Sequence, residues 1–137
     1  MKTSTLVVRH VSVSIDRPPG DVYRFVSNVD NLPKWASGLV GSGTVRNVNG
    51  EWIISGGTIG QVKVRFTPPN DLGILDHDVV LESGETVHNP IRVLPNGGGS
   101  ELVFSVFRQP DVSAEQFERD TQAVRKDLEL LKNLLER

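Results

Sequence analysis

The chain has 137 residues, a formal net charge of −2 and no cysteine. Hydrophobic residues make up 37% of it and charged residues 23%, which is typical of a folded domain and excludes a disordered or low-complexity chain. The charge near zero gives no reason to expect a nucleic acid partner, and the lack of cysteine excludes disulfides, a thiol nucleophile and Cys-ligated zinc.

The first predicted elements are a strand and two short helices. Residues 7–15 alternate between apolar and polar side chains, which predicts a half-buried strand, and the prolines at 18 and 19 end it. Apolar residues then recur at three- and four-residue spacing over residues 22–29, as in an amphipathic helix. A second short helix is expected to carry Trp35.

A series of hairpins follows. Asn49-Gly50 is typical of a type I′ turn and predicts that Val45 pairs with Ile54 and Asn47 with Trp52. Further Gly- and Pro-rich turns delimit strands at residues 61–66, 75–82, 86–94 and 101–108. Together with the first strand these make seven strands, joined mostly as consecutive antiparallel hairpins.

The strand at residues 75–82 carries a histidine on its apolar face. Alternation places His77 beside Leu75 and Val79, and it places Asp76 and Asp78 on the other face. The two aspartates therefore cannot join His77 around one ion, and we expect no metal site.

The register of the next strand depends on the loop at Ser83-Gly84. A two-residue loop places His88 and Arg92 on the face of His77, whereas a longer loop places Asn89 there with apolar neighbours. We favour the longer loop, because burying an unpaired guanidinium costs several kcal/mol. Arg92 is then expected to pair with Glu101 or another acidic residue of the outer face.

The last predicted element is a long helix over residues 114–136. Ser113 and Gln116 have the spacing of a capping box at its start. One narrow apolar stripe follows the helix and contains Phe117, Thr121, Val124, Leu128, Leu131 and Leu135. Because so long a helix is not stable alone, we expect it to lie along the sheet.

Several segments resemble the START-like helix-grip (SRPBCC, birch-pollen-allergen-like) superfamily, and in particular its polyketide cyclase/dehydrase-like branch. They are residues 11–23 (VSVSIDRPPGDVY), 30–35 (DNLPKW), 75–79 (LDHDV), 90–93 (PIRV), 99–101 (GSE) and 127–129 (DLE). The resemblance implies an α+β helix-grip fold: a curved seven-stranded antiparallel sheet wrapped around the long C-terminal helix, with two short helices after strand 1, enclosing a cavity. It implies activities from lipid carriage to polyketide cyclisation, but no shared catalytic motif.

Six residues are candidates for contact with a ligand in that cavity. His77 is a candidate donor to a ligand carbonyl or a general acid or base, although a histidine bonded within the core has the same pattern. Thr121 lies in the helix stripe, where it either bonds its own helix or meets a ligand. The full set, for most of which core packing is the alternative role, is Trp35, Trp52, His77, Asn89, Phe104 and Thr121.

We therefore predict a domain over residues 1–137 that binds a hydrophobic or aromatic small molecule. The alternatives are a cyclase/dehydratase-type enzyme in which His77 transfers protons, and a protein–protein interaction module. We expect no cofactor and no nucleic acid partner, and the sequence leaves a monomer and a homodimer open. No apolar run has the length of a signal-peptide core or a membrane span, so a cytoplasmic location is expected.

Overall fold

Two antiparallel sheets and one long helix form the fold in the computed structural model, which describes residues 4–36, 44–48, 51–57 and 60–137. The strands are β1 (Val8–Ile15), β2 (Thr44–Val48), β3 (Glu51–Gly57), β4 (Gly60–Phe66), β5 (His77–Val80), β6 (Thr86–Asn89), β7 (Ile91–Asn96) and β8 (Gly99–Phe107). The helices are α1 (Pro19–Ser27), α2 (Leu32–Trp35) and α3 (Ala114–Leu135). No helix in the described ranges is both long and apolar enough to cross a membrane.

The segment after β1 contains the two predicted short helices and one element more. The carbonyl of Pro18 accepts hydrogen bonds from the first turn of α1, whose first residue is proline. A 3₁₀ turn (Val29–Asn31), capped by the Asn28 side chain, separates α1 from α2. The valines of α1 at 22 and 26 are fully buried, so this segment packs its apolar face into the core.

The five-stranded sheet has the order β2-β3-β4-β5-β6, as consecutive hairpins require. The predicted pairs Val45–Ile54 and Asn47–Trp52 are present, whereas the turn at Asn49-Gly50 lies outside the described residues. On the inner face, Ile54 is fully buried, as are the two valines of β4.

The expected single seven-stranded sheet is wrong, because the predicted strand at 86–94 is two strands in two sheets. Pro90 separates them: β6 pairs with β5, while β7 joins a three-stranded sheet of order β1-β8-β7. Proline has no N–H, so it cannot continue a ladder of hydrogen bonds. Its carbonyl instead accepts from the N–H of Ser105 in β8 (3.0 Å).

The two sheets are joined where residues 73–75 run beside β7. The N–H of Leu75 donates to Ile91 O (2.8 Å), and the N–H of Val93 donates to Gly73 O (2.9 Å). Gly73 has φ of 72°, and a Cβ there would lie 2.3 Å from Val93 O, so only glycine fits this approach. The junction between the two sheets therefore consists of residues 73–75 and 90–93.

Helix α3 lies along β1 and, to a lesser extent, β8. Ser113 Oγ caps it by accepting from the N–H of Gln116 (3.1 Å), but the Gln116 side chain donates to Asp120 rather than completing a capping box. The predicted stripe is confirmed, with buried residues at Phe117, Thr121, Leu128, Leu131 and Leu135. At the far end, Arg17 donates to Leu135 O (2.7 Å), which fastens α3 to the segment after β1.

Candidate functional site

His77 begins strand β5 and lies on its inner face, where alternation predicts it. The side chain is only 7% exposed. Its ring stacks on Phe66 of β4, with centroids 4.9 Å apart, and meets Phe104 of β8 edge-on at 6.3 Å. We call these three residues the His77 cluster. Because Phe66 and Phe104 belong to different sheets, the cluster spans both.

The hydrogen bonding of His77 defines what its imidazole can do. The Nδ1 atom lies 3.3 Å from the carbonyl oxygen of Leu75, and a carbonyl only accepts, so Nδ1 carries the hydrogen and donates. Burial lowers the pKa of His77 from 6.5 to about 4, outweighing the opposite effects of the Leu75 bond and of Asp76 and Asp78. The ring is therefore neutral at pH 7, and Nε2 is a bare acceptor.

Asn89 is the cross-strand partner of His77. The pairs His77–Asn89 and Val79–Val87 show the register that the longer loop predicts, with Leu81 N–H donating to Glu85 O across that loop. Asn89 is half-buried and lies on the inner side of β6.

The outer face of the same strands carries ion pairs. Arg92 bonds the carboxylate of Asp76 through Nε (2.9 Å) and Nη2 (2.7 Å), and the same carboxylate accepts from the N–H of Ile91 (3.0 Å). The Arg92 bonds hold the pKa of Asp76 below its usual range. Nδ1 of His88 donates to Asp78 (2.6 Å). Arg92 therefore pairs with Asp76, an outer-face acid as expected, rather than with Glu101.

Trp35 is 5% exposed at the end of α2, packed in the core. Its indole Nε1 is buried and has no hydrogen-bond partner in the described part of the chain. Indole N–H groups usually find a partner when buried, and leaving one unpaired costs free energy. No ring contact joins Trp35 to the His77 cluster among the described residues, although Trp35, Phe66 and Phe104 belong to the same hydrophobic core.

The other candidates have ordinary core contacts. Trp52 and Phe104 are half-buried and pack against the core, and Trp52 pairs with Val64. The hydroxyl of Thr121 donates to Phe117 O one turn earlier (2.8 Å), so its proton is used within α3. Whether any of the six contacts a ligand stays a prediction.

Phe66 is the residue of the cluster that sequence reasoning missed. Alternation places it on the inner face of β4, but only the pairing of Phe66 with His77 brings the rings together. The irregular connection at residues 67–76 hides that register from the sequence.

An open pocket of about 400 Å³ lies elsewhere, between α1 and the end of α3. Its lining residues are Arg17, Asp21, Arg24, Phe25, Leu134 and Leu135. Asp21 is bonded to both arginines, and chiefly the Arg17 bond lowers its pKa. This pocket is a surface feature rather than the predicted enclosed cavity, which stays a prediction.

The fold and the inner aromatic face define an α+β domain of helix-grip type, in which antiparallel sheets hold a long C-terminal helix. Residues 8–136 match the family model described as "Polyketide cyclase / dehydrase and lipid transport". The chain therefore belongs to that family, as the resemblance of its sequence segments implied.

Solved structures with the same fold share little sequence with this chain. Ara h 8.0201 is 15% identical with a TM-score of 0.65, covering 95% of this chain and 97% of its own. A truncated norcoclaurine synthase from Thalictrum flavum is 14% identical with a TM-score of 0.62, covering 98% and 97%. The Aha1 dimer from Colwellia psychrerythraea is 17% identical with a TM-score of 0.67, covering 96% and 97%. A comparison with curated proteins found no match.

Proposed function

We propose that the domain binds a hydrophobic or aromatic small molecule on the inner side of its sheets, against the His77 cluster. The supporting observation is that large aromatic side chains on this side, at Trp52, Phe66 and Phe104, are only half-buried although they face inward. Helix α3 lies along β1 and β8 of the three-stranded sheet, whereas Trp52 and Phe66 belong to the five-stranded sheet. An apolar ligand would remove the remaining aromatic surface from water, at about 25 cal/mol per Å².

Membership of the family leaves both carriage and catalysis open, and the state of His77 favours carriage. A general base works best when its pKa lies near the working pH. The pKa of His77 is lowered to about 4, so its neutral ring is a weak base at pH 7. Proton transfer by His77 in a cyclase or dehydratase reaction is therefore the less favoured alternative.

The test uses an apolar aromatic probe with no hydrogen-bond donor, the methyl ether of β-naphthol. We expect calorimetric titration to give binding with one probe per chain. Phe104→Leu on the inner face should weaken the binding severalfold, because an aromatic contact is lost. The matched control is Leu94→Ala, since Leu94 is 47% exposed on the outer side. Absence of binding by both this ether and its parent phenol, or equal effects of both variants, would contradict the proposal.

A homodimer, left open by the sequence, is a separate proposal. The structurally similar Aha1 protein is described as a dimer, which by itself says nothing of assembly in this chain. Sedimentation of the purified protein over a range of concentrations gives the mass directly, and a monomer mass throughout would reject the dimer.

A further inference from the structure

The hydrogen-bonding state of His77 restricts which polar groups a ligand can present to it. From that state we infer that the ligand carries a hydrogen-bond donor, a phenolic or alcoholic hydroxyl, which donates to Nε2 of His77. The inference rests on the proposed function, since it concerns a ligand on the inner side of the sheets. It also reverses the sequence-based expectation that the imidazole donates to a ligand carbonyl.

The first step is the tautomer. Nδ1 faces the carbonyl oxygen of Leu75 at 3.3 Å and must carry the ring hydrogen to bond it. A neutral imidazole has one ring hydrogen, so Nε2 has a lone pair and no hydrogen. Burial among aromatic rings keeps the ring neutral, because it penalises the charged form.

The second step is that Nε2 lacks a donor from the protein. In the described residues no side chain or backbone N–H bonds to it, the amide of its cross-strand partner Asn89 included, and the rings of Phe66 and Phe104 that contact His77 have no donor. Asp76, Asp78 and His88 belong to the outer face. There Asp76 bonds Arg92, and Asp78 bonds His88.

The third step is the selectivity that follows. A hydroxyl can donate its hydrogen to Nε2. A ketone, an ether or a carboxylate has no hydrogen to donate, so its oxygen lone pairs would repel the lone pair of Nε2. A site built to bond a substrate hydroxyl discriminates against analogues that lack it, because its own polar group is then left unpaired. The ligand class is therefore a hydroxylated aromatic or a similar apolar alcohol.

The experiment compares β-naphthol with its methyl ether at pH 7, where a phenol is un-ionised. Both probes are titrated into wild type and into His77→Phe, which keeps a flat ring against Phe66 and removes the acceptor. The ratio of the two Kd values measures the preference for the hydroxyl. We expect this ratio to shift by about threefold to tenfold between wild type and the variant, as one hydrogen bond allows. Phe66→Leu is the matched control, because it removes a ring but keeps the acceptor, and it should leave the ratio unchanged.

A second measurement does not depend on any variant folding. Nitrogen-15 NMR of the wild-type imidazole should show Nδ1 protonated and Nε2 bare in the free protein, with the Nε2 resonance moving when β-naphthol binds. A protonated Nε2, or an equal preference ratio in wild type and His77→Phe, would overturn the inference. If the ether binds and the ratio is unchanged, only the inference fails. If neither probe binds, the proposed function fails and takes the inference with it.

Discussion

The two faces of strand β5 place the same kinds of side chain in opposite states. On the inner face, His77 is 7% exposed, packs between aromatic rings and, within the described part of the chain, bonds only a backbone carbonyl. On the outer face, His88 of the neighbouring strand is exposed and bonds the carboxylate of Asp78 at 2.6 Å. The comparison indicates that the face of the strand, rather than the residue type, decides whether a histidine is a buried neutral acceptor or an exposed ring bonded to a carboxylate.

Lowering the pH should reduce the free energy of unfolding mainly through His77 on the inner face. The folded pKa of His77, about 4, lies below its ordinary value of 6.5, so between these pH values the unfolded chain binds a proton that the folded chain does not. The free energy of unfolding should therefore fall as pH drops from 6.5 to 4, by about 3 kcal/mol in total from this residue. Urea unfolding at a series of pH values measures this decrease in unfolding free energy.

His77→Phe is the control for this loss, because phenylalanine does not titrate. The unfolding free energy of wild type should therefore fall relative to that of the variant as the pH drops from 6.5 to 4. A difference that stays constant from pH 7 to pH 4 would mean that His77 is not held neutral by burial.

Removing the Asp76–Arg92 pair of the outer face should lower the free energy of unfolding by a smaller amount. Asp76→Ala leaves Arg92 without its partner and the N–H of Ile91 without its acceptor. We expect a loss of about 2 kcal/mol at pH 7, since the Asp76 side chain is only 12% exposed and its bonds are charge-assisted. Because the pKa of Asp76 is lowered, its contribution is present above its ordinary value of 3.8 and is lost at lower pH. The two faces should thus lose stability in separate pH windows.

Trp35→Phe tests a buried polar group that has no partner among the described residues. The change removes an N–H that is buried without a partner while keeping an aromatic ring in the core. We expect unfolding free energy to change little or to rise by about 1 kcal/mol, because the desolvation cost of the N–H disappears while some packing is lost. Thermal unfolding measures this, and a loss above about 2 kcal/mol would contradict the expectation that the unpaired N–H costs as much as the packing that the smaller ring loses.

The smallest effect is expected for His88→Gln. Both partners of the pair are substantially exposed, 59% for His88 and 42% for Asp78. Exposed ion pairs contribute little, so the change in unfolding free energy should be within about 0.5 kcal/mol. A clearly larger loss in urea unfolding would remove the contrast between the two faces.

Alternating patterns in the sequence predicted most of this comparison. They placed His77 inside and Asp76 outside, and the cost of burying a guanidinium correctly favoured the register that pairs Asn89 with His77. The break at Pro90 was not predicted, because a proline inside an apolar run signals an interruption without saying that the chain changes sheets. The Phe66–His77 contact needed the register across an irregular loop, which local patterns do not encode.

The order of strands in the two sheets has a consequence for how the chain folds. Strands β2 to β6 pair with neighbours along the chain, so their hairpins close over at most the ten residues that separate β4 from β5. Strand β1 instead pairs with β8, and the pair Val8–Phe107 joins residues 99 positions apart in the sequence. This pairing can form only after the chain between them has been brought together. Long-range pairing of this kind slows folding. The surface on which α3 lies is thus completed late, and pulsed hydrogen exchange should find β3–β5 amides protected before those of β1.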